Sequence, residues 1–231
     1  MTLTTGLRIL LIMSNQNELK QQVALAALKH IPTDCIVGVG TGSTINYFID
    51  ALASIKNKIK GTVASSIETE KKLRALGIPV YDLNAVDNVR IYIDSADEFN
   101  SFKYLVKGGG GALTREKILA TAAKEFICIV DSSKESTVLG KFPVAIEVIP
   151  MARGLVARAL VKLGALPEFR PEFKTDNGNI ILDVYNLDLT NPVGMEETLN
   201  NLTGTVCNGI FAKRSADKIL VADQQGIREI N

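Results

Sequence analysis

Apolar residues in this chain keep two rhythms that alternate. From Asn17, the residues Leu19, Val23, Ala26 and Ala27 recur at helical spacing, and that helix should stop before Pro32. Cys35-Ile36-Val37-Gly38-Val39-Gly40 is a short unbroken apolar run, the pattern of a strand buried on both faces. Ile45, Phe48, Ile49, Leu52 and Ile55 return to helical spacing. Thr62-Val63-Ala64 is the next short strand, and a helix with Leu73 and Leu76, closed by Gly77, follows it. Val80-Tyr81-Asp82-Leu83 and Arg90-Ile91-Tyr92-Ile93 are further strand candidates. Ile118, Leu119, Ala122 and Ala123 mark a helix, and Phe126-Ile127-Cys128-Ile129-Val130 reads as a fully buried strand. Strands alternating with helices predict an α/β fold, a mainly parallel Rossmann-like sheet wrapped by helices.

The rhythm changes over residues 144–211. Ala145-Ile146-Glu147-Val148-Ile149 reads as a strand, and Ala152, Leu155, Val156, Ala159, Leu160 and Leu163 trace a helix ending at Gly164. Glu168-Phe169-Arg170 and Ile180-Ile181-Leu182-Asp183-Val184-Tyr185 flank Asn177-Gly178, a strong hairpin signal. A helix with Met195 and Leu199 and a strand from Thr205-Val206-Cys207 complete the order β-α-β-β-α-β, that of a split, ferredoxin-like unit. Lys218-Ile219-Leu220-Val221-Ala222 is one more apolar strand, suited to the first sheet. The expected domains are a discontinuous α/β body, residues 14–143 plus 212–231, and a smaller α+β unit, residues 144–211, with a structural, lid or subunit-contact role. Residues 1–13 are left as an N-terminal extension, with Met13 a candidate natural start. Their apolar patch, Leu7-Arg8-Ile9-Leu10-Leu11-Ile12, is too short to span a membrane, and the basic start and long apolar core of a signal peptide are missing.

Polar residues gather where the predicted strands end. Thr41-Gly42-Ser43-Thr44, Ser65-Ser66, Asp94-Ser95-Ala96-Asp97 and Asp131-Ser132-Ser133-Lys134 each follow a strand at its carboxyl end. In an open parallel sheet these ends share one edge, and ligands bind in the crevice there. Residues 107–117 join them: Lys-Gly-Gly-Gly-Gly-Ala-Leu-Thr-Arg-Glu-Lys. Four consecutive glycines make a poor strand and a worse helix. Such a run suits bare backbone brought close to a ligand, where turn amides can cradle an anion. It is flanked by Lys107 and by a helix opening expected at Thr114, with Glu116 in the first turn. Gly38, Gly40 and Gly42 imitate a dinucleotide fingerprint only in part. Its third glycine is misplaced, and the acidic residue due after the next strand is replaced by Ser65-Ser66.

Composition narrows the partners. Lys plus Arg number 26 against 25 Asp plus Glu, so no global field recruits nucleic acid or an anionic membrane, and anion binding must be local. The hydrophobic fraction of 46% and charged fraction of 22% are ordinary for a globular protein. Cys35, Cys128 and Cys207 are scattered without disulfide or metal spacing and read as reduced thiols of a cytoplasmic protein. His30 is the single histidine, which argues against zinc.

The crevice thus offers acids (Asp94, Asp97, Glu116), cations (Lys107, Lys134), hydroxyls and amide-rich loops, with no Ser-His or Cys-His pair. That set fits a small sugar phosphate. A carboxylate held away from water can take a proton next to a carbonyl while a cation steadies the enolate oxygen, and one base can return that proton to the neighbouring carbon without cofactor or metal. The blocks at 38–44, 94–98, 107–117 and 131–134 together resemble the ribose-5-phosphate isomerase type A family from about Asn17 to the C-terminus. The resemblance implies interconversion of ribose 5-phosphate and ribulose 5-phosphate in the pentose phosphate pathway, by a homodimer or a dimer of dimers. It implies that Glu116 is the general base. Thr41, Gly42, Ser43, Thr44, Asp94, Ser95, Ala96, Asp97, Lys107, Gly108, Gly109, Gly110 and Lys134 would line the substrate site, and Lys20 would reach the phosphate. Within that set Asp94 is assigned to ring opening, Lys107 to the enediolate oxygen, and Thr44 with the loop amides to phosphate.

One residue departs from the family pattern, Ser95, where glycine is common. A positive φ there would cost serine about 1 kcal/mol and shift Asp94. Two other readings of this fold class are a sugar-phosphate sensor and a sugar-phosphate lactonase or deaminase. The first usually carries a DNA-reading module, for which the residues before Asn17 leave no room; the block at 107–117 argues against the second. Deleting residues 1–12 is expected to leave the ribose 5-phosphate turnover rate unchanged, and a large loss of rate or folding would refute the reading of an extension.

Overall fold

A computed structural model describes the backbone of residues 5–231 and the side chains of residues 16–231. Helix α1 is Thr5–Ala27, so it begins well before the expected Asn17. The apolar patch of the expected extension lies outside the described side chains. Strand β1 (Ile36–Val39) leads into α2 (Ser43–Leu52), β2 (Gly61–Ala64), α3 (Ile67–Ala75) and β3 (Ile91–Asp94). Two-residue strands β4 (Glu98–Phe99) and β5 (Leu105–Val106) precede α4 (Leu113–Ala122) and β6 (Phe126–Asp131). Then come β7 (Val144–Val148), α5 (Arg153–Lys162), β8 (Leu166–Phe169), β9 (Ile180–Tyr185), α6 (Pro192–Asn200) and β10 (Thr205–Asn208). The chain closes with β11 (Ile210–Phe211), β12 (Lys218–Asp223) and β13 (Gly226–Ile230). Among the described residues no helix is long and apolar enough to cross a membrane.

The central sheet has the order β13-β12-β6-β3-β1-β2 and is parallel except for β13, which folds back on β12 as a hairpin. Alternation sorts its two faces. Val37, Val39, Ile91, Ile93, Ile127 and Ile129 pack with Val23, Ala24 and Ala27 of α1, Phe48 and Leu52 of α2 and Leu73 of α3. Tyr92, Phe126, Cys128 and Val130 point the other way, against Leu119 and Ala120 of α4 and Phe211. From β1 the chain steps to β2 on one side, then crosses back to β3 on the other. The loops after β1 and β3 therefore diverge, and a crevice opens between them at the carboxyl edge.

Strands β10-β7-β9-β8 form a separate antiparallel sheet in the ferredoxin-like order. Val144, Ile146 and Val148 face Val156 and Leu160 of α5 and Leu199 of α6. The opposite face carries Ala145, Ile181 and Cys207, and it packs on Leu113 of α4. A three-stranded sheet, β11-β5-β4, links the two larger ones.

Several expectations change. The segment Val80-Tyr81-Asp82-Leu83 forms only an isolated bridge from Val80 to Thr62, then a 3-10 turn from Leu83, because Asp82 caps Asn84 instead of continuing a ladder. Helix α4 opens one residue before Thr114 with no side-chain cap, and Thr114 is turned to another use. Strands β4, β5, β11 and β13 carry no pattern that sequence periodicity detects; three of them are two residues long. The three cysteines are free and buried.

Candidate active site

The loop after β1 is shaped by two glycines. Gly42 has φ 123°, in the region that glycine tolerates, and it hands the chain to α2 without a side-chain cap, leaving the first-turn amides open. Gly40 is needed for a different reason. A Cβ placed there would lie 1.9 Å from Asp94 Oδ1. Thr41 donates its amide to Asp94 Oδ1 at 3.1 Å, and its hydroxyl joins Ser65, Ser66 and Thr69 at 2.7, 2.9 and 3.2 Å. Thr69 in turn donates to the Gly40 carbonyl at 2.7 Å. The Ser65-Ser66 pair, expected at the crevice, thus anchors the β1 loop from behind.

At the centre stand three buried charges. Lys107 Nζ lies 2.9 Å from Asp94 Oδ2 and 3.1 Å from Glu116 Oε2, and it donates to the Ser95 carbonyl at 2.6 Å. Lys107 and Glu116 are only 3% and 4% exposed. Burial works against the lysine charge, but the Asp94 and Glu116 carboxylates outweigh it and hold Lys107 above the ordinary lysine range. Glu116 is pushed up to about 8, first by burial and then by the Asp94 carboxylate, with Lys107 opposing both. Lys107 meets this carboxylate through Oε2, which is buried and has no other partner among the described residues. A buried carboxylate with a raised pKa on the lining of a cavity is equipped to move a proton near neutral pH.

A cavity of about 110 Å³ opens above this group. It is lined by Glu116 and Lys107, by Gly108, Gly109 and Gly110, by Ser95, Ala96 and Asp97, by Thr41, Gly42, Ser43 and Thr44, and by Lys20 and Lys134. Fourteen of the fifteen residues expected from sequence therefore meet on one wall or another. Asp94 is the exception. Its side chain is fully buried beneath the cavity, where Oδ1 accepts the Thr41 and Ser95 amides and Oδ2 accepts Lys107 and the Tyr92 hydroxyl. Both of its oxygens are thus occupied twice. A larger cleft of about 580 Å³ at the amino edge of the same strands is lined by Asp34, Cys35, Lys60 and Arg90, and it contains no comparable buried charge group.

Ser95 carries no backbone strain. Among the described residues, positive φ outside glycine occurs at Asp34, Lys103, Glu172 and Asn186. The expected loss at Ser95 and shift of Asp94 therefore do not arise. Asp131 accepts the Ser133 amide at 3.0 Å and caps the turn that carries Lys134. Glu98 accepts the Gly140 and Phe142 amides at 2.9 and 3.2 Å, a structural task.

Sequence reasoning missed two supports. Tyr92 holds Asp94 from the same face of β3, and the i, i+2 spacing on a strand was a usable signal. Glu147 on β7 had none. It is fully buried and accepts from Thr114 of α4 and from Thr175, Asn177 and Asn179 of the turn between β8 and β9. That turn reaches further, since Asp176 accepts the Ile67 amide at the start of α3 at 2.8 Å. The helix that presents Glu116 is thereby tied to the second sheet.

A family model described as ribose 5-phosphate isomerase A (phosphoriboisomerase A) matches residues 61–226. The chain is similar to a ribose 5 phosphate isomerase A from Neisseria gonorrhoeae, with 44% identity over 93% of this chain and 96% of that one and a TM-score of 0.91. It is similar at 36% identity to the enzyme of Methanocaldococcus jannaschii, over 93% and 98% of the chains, with a TM-score of 0.88. A D-ribose-5-phosphate isomerase in complex with phospho-erythronic acid matches at 36% identity over 94% and 99%, with a TM-score of 0.90.

Gly40→Ala is expected to push Asp94 from beneath Lys107 and to cost about 1–3 kcal/mol of unfolding free energy, read by urea denaturation. A variant as stable as its parent would mean that Asp94 yields without penalty.

Proposed function

The chain belongs to the ribose 5-phosphate isomerase A family, and we propose from that premise that this crevice interconverts ribose 5-phosphate and ribulose 5-phosphate through an enediol, with Glu116 as the base. The observation that carries the proposal is the Glu116 carboxylate itself, buried, pushed up to about 8, and set 3.1 Å from the Lys107 ammonium at the cavity floor. In the aldose the proton at C2 is acidified by the C1 carbonyl. Glu116 takes it, the electrons flow to the carbonyl oxygen, and Lys107 steadies the negative charge that develops. Transfer of the same proton to C1, with the hydroxyl proton moving from O2 to O1, gives the ketose. No atom is gained or lost.

The phosphate falls to the far wall. There the open first-turn amides of α2, the Ser43 and Thr44 hydroxyls, and the Lys20 and Lys134 ammonium groups line the cavity together. Ring opening passes from Asp94 to Asp97. Asp94 has no oxygen free, whereas Asp97 lines the cavity and uses Oδ2 for the Gly109 amide at 2.8 Å, leaving Oδ1 for a sugar hydroxyl. The remaining assignments are a body of residues 14–143 plus 212–231, a lid or subunit-contact unit of residues 144–211, a homodimer or dimer of dimers, and a cytoplasmic setting within the pentose phosphate pathway. Exposed Met151, Leu155, Leu166 and Phe169 on the second unit support self-association, and three unpaired cysteines support a reducing compartment.

Glu116→Gln is expected to retain substrate binding and to lose turnover by roughly a thousandfold or more. In heavy water it should also lose deuterium incorporation at C2, followed by NMR. Near-normal isomerisation by that variant would exclude Glu116 as the base, and binding without turnover by the parent protein would favour a sensor.

The pH dependence has a defined sign. A base acts deprotonated, so kcat/KM should climb as pH rises through about 8, and a profile flat from pH 6 to 9 would contradict the assignment. Because folding raises the Glu116 pKa from 4.5, this group's contribution to stability is full below 4.5 and declines as pH rises towards 8.

A further inference from the structure

The second sheet also touches the glycine run, through a side chain that the proton-transfer chemistry does not use. Arg170 follows β8, and its side chain is 19% exposed. Asp183 on β9 holds one edge of the guanidinium in a fork, accepting from Nε at 2.8 Å and from Nη2 at 2.5 Å. The other edge donates to the Gly109 carbonyl from Nη1 at 3.2 Å and to the Gly108 carbonyl from Nη2 at 3.3 Å. Phe173 lies under the same cation, with its ring centre 5.2 Å from the guanidinium carbon, and fills the space where a Cβ on Gly111 would fall.

The carbonyl and amide of a trans peptide point in opposite directions. Drawing the Gly108 and Gly109 carbonyls towards Arg170 therefore turns the next two amides away from it. Gly109 gives its amide to Asp97 Oδ2 at 2.8 Å, so this peptide is pinned from both sides. Among the described residues the Gly110 amide has no acceptor, and Gly110 lines the cavity beside Lys107 and Glu116. Left to itself, a run of four glycines would sample many conformations, since glycine has no Cβ to restrict it.

We propose that Arg170, fixed by Asp183, is a positioning residue for the isomerisation: it sets the glycine loop so that the Gly110 amide meets the oxygen that becomes negative in the enediolate. A donor aligned before the charge develops costs no reorganisation during reaction. Lysine cannot replace this arrangement, because one ammonium does not fork to a carboxylate and hold two carbonyls in a plane. The proposal rests on the isomerase reading.

The test uses the full-length protein with Arg170→Met, Arg170→Lys and the exchanged pair Arg170→Asp with Asp183→Arg. Measurements are kcat and KM for ribose 5-phosphate, inhibition by phospho-erythronic acid (whose planar carboxylate imitates the enediolate), inhibition by inorganic phosphate, and the urea midpoint. Arg170→Met and Arg170→Lys should lower kcat roughly tenfold to a hundredfold with little change in KM. Phospho-erythronic acid should weaken by a similar factor, while inorganic phosphate, held at the other wall, should not. The exchanged pair should recover the urea midpoint without recovering kcat, because an aspartate cannot donate to the carbonyls. The proposal is overturned if variants lose midpoint but keep kcat, if both inhibitors weaken equally, or if the exchanged pair restores turnover. Should Arg170→Met fail to fold, Arg170→Lys decides by the same criteria. A parent protein with no ribose 5-phosphate turnover would instead overturn the isomerase reading, and this proposal with it.

Discussion

One lysine shared between two buried carboxylates governs this structure. Taking Asp94, Lys107 and Glu116 out of water costs several kcal/mol for each ion, and a single cation cannot neutralise two anions at full charge. The group is tolerable only because its members are treated differently. Asp94 is saturated by two amides, a tyrosine hydroxyl and the ammonium. Among the described residues Glu116 has only the Lys107 contact, which burial and the Asp94 carboxylate together outweigh. That inequality pushes an ordinary carboxylate up to about 8.

Much of the surrounding structure enforces the inequality. Gly40 keeps a side chain out of the Asp94 pocket, and Tyr92 reaches Asp94 along its own strand. The Lys107 backbone is bonded at 2.9 Å to Gly209, where a Cβ would lie 2.1 Å from the Lys107 carbonyl oxygen. Helix α4 is held on two flanks: Thr114 bonds to Glu147, and Lys117 bonds to Glu196 and to the Ile210 carbonyl, both at 2.6 Å. Glu147, Glu196 and Gly209 all lie within residues 144–211. The segment with no visible chemistry in its sequence thus supplies many of the ties that keep the helix carrying Glu116 in place.

What the sequence determined by itself was the part carried by local periodicity and by where strands end. Buried apolar runs alternating with helical stripes are enough to specify a parallel sheet, and a parallel sheet brings its carboxyl-end loops together. Thr41, Asp97, Lys107, Glu116 and Lys134 were therefore legible as one crevice although they span most of a hundred residues. Only the tertiary structure decided the rest. It placed Asp94 beneath the cavity floor instead of on its wall, because lone-pair occupancy depends on neighbours from β1, β3 and the glycine run. It also showed Glu147 and Arg170 acting on α4 and the glycine loop from another sheet, across separations that leave no periodic trace. Hydrogen-bond partners far apart in the chain are chosen by packing, and packing is a property of the folded whole.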